Sequence, residues 1–391
     1  MIERPASRSA SPLTIGIDCR FIQDKFHGIG RYTYHLLQHL CSSPGEHTVV
    51  AYVDPAVPNS RFPLDMLRRQ PRCELRAVHI PLYHPVELVA WRAALRARPI
   101  DVFHTPYFWA PALLPCPLVT TIHDMIFDRY PEYMPQRHLA MIYRIASRAA
   151  MRQSRQIIAV SQATGDDIVQ LTRTPASKVC VVPEGVDAAF GPIADVEQLR
   201  DVRARYELPA SYVLALGARR PHKNIGRLVE AFSQIADAVP HALVLVGAID
   251  TRFTAGVSET LDRLRQAGRV REIGHVAEAD LPSLYTLADL FVQPSIIEGF
   301  GLPLLEAMAC GCPVACANTS SLPEVGGDAA IQFDPYDVAA IATSLTRALG
   351  APDMRADMAR RGLSRARMFR WETAAAQTLD VYRRAAGGRH G

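Results

Sequence analysis

At 391 residues, 49% hydrophobic and 21% charged, the chain has the composition of a globular protein and exceeds one ordinary core, so two domains are expected. No run nears the roughly 18–20 uninterrupted apolar residues of a spanning helix, and a net charge of +4 with few aromatics among the arginines gives nucleic-acid binding little support. Residues 1–190 hold 21 Lys and Arg against 16 Asp and Glu while residues 191–391 hold 22 against 23, so the first half is the one inclined toward an anionic partner.

In chain order, the opening from Met1 to Pro12 is polar and lacks an apolar signal core, which points to a cytoplasmic protein. Residues 13–17 read as a first strand, and Gly28-Ile29-Gly30 opens a helix over residues 31–40. Further strands are expected at 48–53, 75–80, 102–103, 118–122, 157–160 and 179–182, with helices at 86–97 and 136–152. Pro183-Glu184-Gly185-Val186-Asp187, running on to Pro192, is a turn-rich break and reads as a hinge. The alternation then restarts, with a strand at 212–216, a helix at 225–238 and strands at 242–246, 272–276, 290–292, 314–317 and 330–333. From Val338 onward the pattern is helical, and the last helix, 371–384, carries Ala374, Leu379 and Tyr382 as a packing face. Strands alternating with helices argue parallel sheets covered on both faces, so the expected class is α/β, with two doubly wound domains facing across a cleft. The boundaries expected are 1–190, 191–368 and a final helix, 369–391, packing back on the first domain. Of the eight cysteines only Cys310, Cys312 and Cys316 cluster, and they read as reduced thiols rather than metal ligands.

The most informative stretch is Glu298-Gly299-Phe300-Gly301-Leu302-Pro303-Leu304-Leu305-Glu306. It follows an apolar strand, and Pro303 suits a helix start as Gly311 suits the residue past its end. A glycine-broken turn at a helix N-terminus presents backbone N–H groups to an anion. Spacing alone leaves Glu306 divided between dipole complementation and ligand binding, and Glu298 between a solvated loop and a site. Gly217-Ala218-Arg219-Arg220-Pro221-His222-Lys223-Asn224 also follows a strand and opens a helix; its cations would neutralise a departing diphosphate, or stand solvated. His123-Asp124 ends the strand at 118–122, where the histidine would meet a sugar hydroxyl or satisfy buried backbone. His104, at a similar strand end, reads as structural. Gly28, Gly30 and Asp54 suggest a dinucleotide fingerprint, but position 33 is Thr33 rather than glycine.

Together with Gly28-Ile29-Gly30-Arg31-Tyr32, Thr121-Ile122-His123-Asp124, the block from Ala309 to Val314 and that from Asn318 to Val325, these stretches make the chain resemble a retaining nucleotide-sugar glycosyltransferase of family 4 with the GT-B fold. The similarity runs closest to bacterial mannosyltransferases that build surface polysaccharides. The resemblance implies that Glu298 holds hydroxyls of the donor sugar with the backbone of Gly299, Phe300, Gly301 and Leu302, and that Glu306 binds the ribose. It places Lys223 and either Arg219 or Arg220 on the diphosphate, with Gly30 touching it from the first domain. Backbone near Val276 would face the base, and His123 would sit beside the transferred sugar. Glu298, His123 and Lys223 are thus the residues expected to carry catalysis, with front-face attack and a donor phosphate oxygen taking the acceptor proton. The implied donor is GDP-mannose, a substrate rather than a cofactor. His222 stands where many relatives carry arginine, and Glu184 where many carry asparagine. No Asp-x-Asp occurs in the chain, and metal dependence is not expected.

Arg137, Arg144, Arg148 and Arg152, with Arg155 beyond them, share one helical face of 136–155, beside Met141, Ile142 and Ile145. A basic amphipathic helix reads as an attachment to an anionic membrane surface, suited to a polyprenyl-linked or glycan acceptor, or as a solvated arginine face. The rival readings are a nicotinamide oxidoreductase resting on Gly28, Gly30 and Asp54, a nucleotide-sugar epimerase, and a sugar-nucleotide binder without turnover.

Overall fold

The computed structural model describes residues 12–25, 27–134, 136–248 and 258–387. Most of the polar opening, residues 1–11, lies outside them, and with it the reading of a missing signal core.

Two sheets organise the chain. The first contains β1 Thr14–Asp18, β2 Thr48–Val53, β3 Cys73–Ala77, β4 Val102–Thr105, β5 Leu118–Ile122, β6 Gln156–Ala159 and β7 Val179–Val181, in the order β3-β2-β1-β4-β5-β6-β7. The second contains β8 Tyr212–Leu216, β9 Ala242–Val246, β10 Val270–Ile273, β11 Leu290–Gln293, β12 Val314–Ala317 and β13 Ala330–Phe333, in the order β10-β9-β8-β11-β12-β13. All their pairings are parallel. The central strands are continuous apolar runs, such as YVLAL in β8 and ALVLV in β9, because helices cover both faces. The helix Ile225–Ile235 shows how: Ile225, Leu228, Val229, Phe232 and Ile235 recur at three- and four-residue spacing and are buried on the sheet.

In each sheet the strand order reverses once, between β1 and β4 and between β8 and β11. Loops leaving neighbouring strands diverge there and open a crevice at the carboxyl edge.

The chain crosses between the lobes at two adjacent places. Val186 donates its amide to the Phe369 carbonyl at 3.1 Å and bridges to Arg370. Gly185 is required there, since a Cβ would lie 2.3 Å from the Trp371 amide nitrogen. The last helix, Trp371–Gly387, returns to the first lobe. Its expected packing residues Ala374, Leu379 and Tyr382 are buried, Trp371 stacks on His35, and the Tyr382 hydroxyl lies 2.7 Å from His104 Nδ1.

Three local expectations change. The first helix begins at His27, so Gly28 and Gly30 lie in its first turn rather than before it. Gly30 is there for close packing, because a Cβ would sit 2.8 Å from the Phe21 carbonyl oxygen. β3 ends at Ala77 instead of reaching residue 80, where the Ile80 carbonyl accepts from Arg20 at 2.7 Å. β10 spans Val270–Ile273, earlier than the expected 272–276, so Val276 lies in the loop beyond it. Among the described residues no helix is long and apolar enough to cross a membrane.

Candidate active site

The two loops flanking the crevice of the second sheet carry the residues singled out from sequence. The loop after β8 turns at Gly217 and closes in a short helical turn, Pro221–Lys223. Asn224 follows in the left-handed region at φ 56°, which asparagine tolerates better than most residues. Its amide donates to the carbonyls of Pro294 at 3.0 Å and Pro335 at 2.7 Å, tying this loop to the one after β11. Lys223 Nζ consequently reaches both Glu298 oxygens, at 2.7 and 3.0 Å. Gln293, the last residue of β11, donates to the same carboxylate at 2.9 Å. Ser320 accepts from the Glu298 amide at 2.9 Å, and Ser321 donates to the carbonyls of Glu298 and Phe300 at 3.0 and 2.8 Å. Burial would raise the Glu298 carboxyl, but Lys223 and Gln293 overcome it and hold the group below the usual carboxylate range.

Gly301 then caps the helix Leu302–Ala309 at φ 107°, with Leu302 and Pro303 in its first turn. The Phe300 ring packs against Phe369 at 5.7 Å, leaving its backbone at the turn. Glu306, one turn along, is buried and accepts from the Tyr285 hydroxyl at 3.1 Å. Its cation comes from the other lobe: Arg31 pairs with Glu306 and with Glu278, while Arg61 holds Glu278 at 2.9 Å. Burial outweighs Arg31 and Tyr285, and the Glu306 carboxyl is pushed up to about 6.

On the first lobe, His123 follows β5 with both ring nitrogens engaged, Nδ1 with Glu184 at 3.2 Å and Nε2 with the Pro106 carbonyl at 3.0 Å. A Cβ on Gly299 would lie 1.9 Å from the His123 carbonyl oxygen, so the glycine lets the Glu298 turn pack directly on this strand end. The Thr164 hydroxyl lies within 3.3 Å of the His123 carbonyl and 3.2 Å of that of Gly299. Asp124 is raised by burial and feels both Glu298 and Lys223. Lys223, Glu298 and His123 therefore share one cleft.

Several other expected residues are distributed unevenly. Arg219 is buried and paired with Glu272, which also binds Arg265, whereas Arg220 is exposed. His222 is held down to about 4 by burial and by Lys223, so it adds no charge at neutral pH. Val276 is buried beyond β10. His104 is fully buried between Tyr382 and the Thr121 hydroxyl, at 2.7 and 2.8 Å, in a structural role. Asp54 accepts from the Ala56 amide at 3.0 Å, closing a turn. Arg137 opens the helix Arg137–Gln153, on which Arg144 and Arg148 lie 3.7 and 2.8 Å from Asp128 while Arg152 is exposed. Leu139, Met141, Ile142 and Ile145 on this helix are exposed. Sequence reasoning passed over Arg31 and Gln293. Arg31 lies in the Gly28-Ile29-Gly30-Arg31-Tyr32 stretch, and Gln293 is a polar end to an otherwise apolar strand.

Comparison with known proteins bears on this arrangement. Residues 26–190 match the family described as Glycosyltransferase Family 4, and residues 200–365 match Glycosyl transferases group 1. The O-antigen chain mannosyltransferase B of Escherichia coli is 33% identical over 374 residues, covering 91% of this chain and 96% of that protein. A serotype-specific mannosyltransferase, WbdA, of Escherichia coli is 29% identical over 69% of this chain, which spans 34% of that longer protein. Among solved structures, a sucrose-phosphate synthase from Thermosynechococcus elongatus superposes with TM-score 0.72 at 22% identity, covering 95% of this chain and 98% of that one. WaaG, a glycosyltransferase involved in lipopolysaccharide biosynthesis, does so with TM-score 0.71 at 15% identity, covering 94% and 99%.

Proposed function

The chain belongs to glycosyltransferase family 4 and has the GT-B fold, and on that premise we propose that it is a retaining, metal-independent hexosyltransferase moving mannose from GDP-mannose to a glycan or lipid-linked acceptor in surface-polysaccharide assembly. The observation that carries this reading is the convergence of Lys223, Glu298 and His123 in one cleft between the lobes. In it, Glu298 holds the donor sugar. Lys223 keeps one of its three N–H donors for the leaving diphosphate after serving both Glu298 oxygens. Arg220 is taken as the second cation, because it is exposed where Arg219 is buried against Glu272. Glu306 is the ribose ligand, and the donor must displace Arg31 from it. His123 approaches the transferred sugar only if one of its two ring contacts opens. Front-face attack is the mechanism this reading adopts, with Glu298 engaged by Lys223 rather than free as a nucleophile.

The mannosyltransferase relatives support the choice of sugar. The exposed Met141, Ile142 and Ile145 beside Arg152 favour peripheral attachment to an anionic membrane, although Asp128 neutralises part of the arginine face. Family membership leaves no place for the nicotinamide reading. A panel of nucleotide sugars, scored for thermal shift and for hydrolysis without acceptor, tests the proposal. GDP-mannose is expected to raise the melting temperature most and to be hydrolysed slowly. A rearranged free sugar would indicate an epimerase, and binding without turnover of any kind would leave only a binder.

A further inference from the structure

The family-4 reading leaves the acceptor unplaced, and a group of aromatic rings on the first lobe supplies a place for it. We infer that Tyr83, Tyr107 and Trp109 form a stacking platform for a pyranose ring of the acceptor glycan; this rests on the transferase reading above.

The platform is built from the loops leaving β3 and β4. The β3 loop is pulled back over the sheet edge by Arg20, whose Nη1 donates to the Ile80 carbonyl at 2.7 Å. Arg20 is itself pinned by Asp18 at 2.7 Å and Glu87 at 3.0 Å, all three side chains being buried. That anchorage presents Tyr83, 40% exposed, at φ 60°. Glycine and asparagine accept this conformation far more readily than a tyrosine, so the ring is held here at a backbone cost.

Tyr83 meets Tyr107 at 6.2 Å and Trp109 at 5.6 Å between ring centroids, both nearly edge-on. The β4 loop is equally fixed: Thr105 donates to the Trp109 carbonyl at 3.1 Å, Phe108 packs on Tyr143 at 4.6 Å, and Tyr107 on Phe21 at 5.2 Å. Pro106, immediately before Tyr107, is the residue whose carbonyl His123 binds at 3.0 Å. The rings therefore continue directly from the point where the transferred sugar is placed. The charges nearest Tyr83, on Arg20, Asp18 and Glu87, are paired with one another, which suits a neutral ring with apolar C–H faces rather than a phosphate. The donor's cations lie across the cleft on the second lobe, so the two substrates are sorted by chemistry.

The test uses the full chain, GDP-mannose as donor and methyl α-mannobioside as a water-soluble acceptor probe. Tyr83→Asn removes the ring at a backbone conformation asparagine favours, and Trp109→Ala removes the second face. Each is expected to raise the acceptor KM about tenfold, more than kcat falls, with Trp109→Phe recovering most of the loss. Trp91 and Trp371 are 0% and 2% exposed, so a fluorescence response to the mannobioside should report on Trp109 and vanish in Trp109→Phe. Turnover of a nucleotide sugar with acceptor KM unmoved in both variants, or with no fluorescence response, overturns the platform and leaves the transferase reading standing. Loss of binding to anionic vesicles with an unmoved KM also overturns it, in favour of a membrane contact. No turnover of any nucleotide sugar overturns both.

Discussion

Glu298 and Glu306 stand in one turn-and-helix, eight positions apart, yet their environments shift them in opposite directions. Glu298 is neutralised within its own lobe by Lys223 and is held low. Glu306 depends on Arg31 from the opposite lobe and is pushed up to about 6. The first pair is a fixture of the second domain, whereas the second exists only while the lobes are together. One carboxylate thus keeps its cation whatever the lobes do, and the other keeps it only while they stay together.

The largest expected effect tests the fixture. Lys223→Ala and Glu298→Gln should each lower transfer by about 10²–10³-fold, with the double variant little worse than the poorer single, because the pair acts as a unit. Steady-state rates beside a thermal melt check this, and near wild-type transfer from either single variant breaks the comparison at its stronger end.

Next comes the cross-lobe pair. Nucleotide affinity of the wild type should be flat above pH 7 and weaken below about 6 as Glu306 takes up a proton. In Arg31→Ala burial is less opposed, so the midpoint should move toward neutrality, while affinity well above it should rise because no guanidinium competes for Glu306. Calorimetric titration across pH measures both, and superimposable profiles would dissolve the distinction between the two carboxylates.

Stability should show the opposite signs directly. Glu298, held below its ordinary value of 4.5, contributes stability above that value and loses it as pH falls. Glu306, raised from 4.5 to about 6, contributes most below 4.5 and loses it as pH rises through 6. Glu306→Gln should therefore be more stable than wild type at pH 7, by up to about 2 kcal/mol, and level with it near pH 4. Denaturant melts at the two pH values decide it.

The smallest effect belongs to a contact between the lobes that carries no charge. The Tyr130 and Tyr336 hydroxyls lie 3.1 Å apart, and Tyr130→Phe should cost only about 0.5–1 kcal/mol. A larger loss would mean that closure does not depend chiefly on Arg31.

How much of this was legible beforehand follows from the physics of each part. β2, β5, β8, β9 and β12 coincide with their expected spans, because each is a short, largely buried run, and so does the edge strand β13, of which only Phe333 is buried. Where an edge deviated, as in β3, a distant side chain, Arg20, had taken the backbone carbonyl, and no local pattern announces that. The Glu298 and Lys223 loops could be read as charged turns at strand ends, but their meeting follows from β8 and β11 being neighbours, a fact of topology. Arg31, 275 residues from its carboxylate, was visible as a residue and hidden as a partner. The aromatic platform was hidden for the same reason, with Tyr83 and Trp109 on loops from different strands.

The return of the final helix to the first lobe has a consequence for biosynthesis. Tyr382 closes on His104 and Trp371 on His35, so the amino-terminal lobe draws part of its interior from residues translated after the whole second sheet. That lobe stays incomplete while the ribosome makes the other, and reaches its finished form only once the carboxyl-terminal segment has emerged.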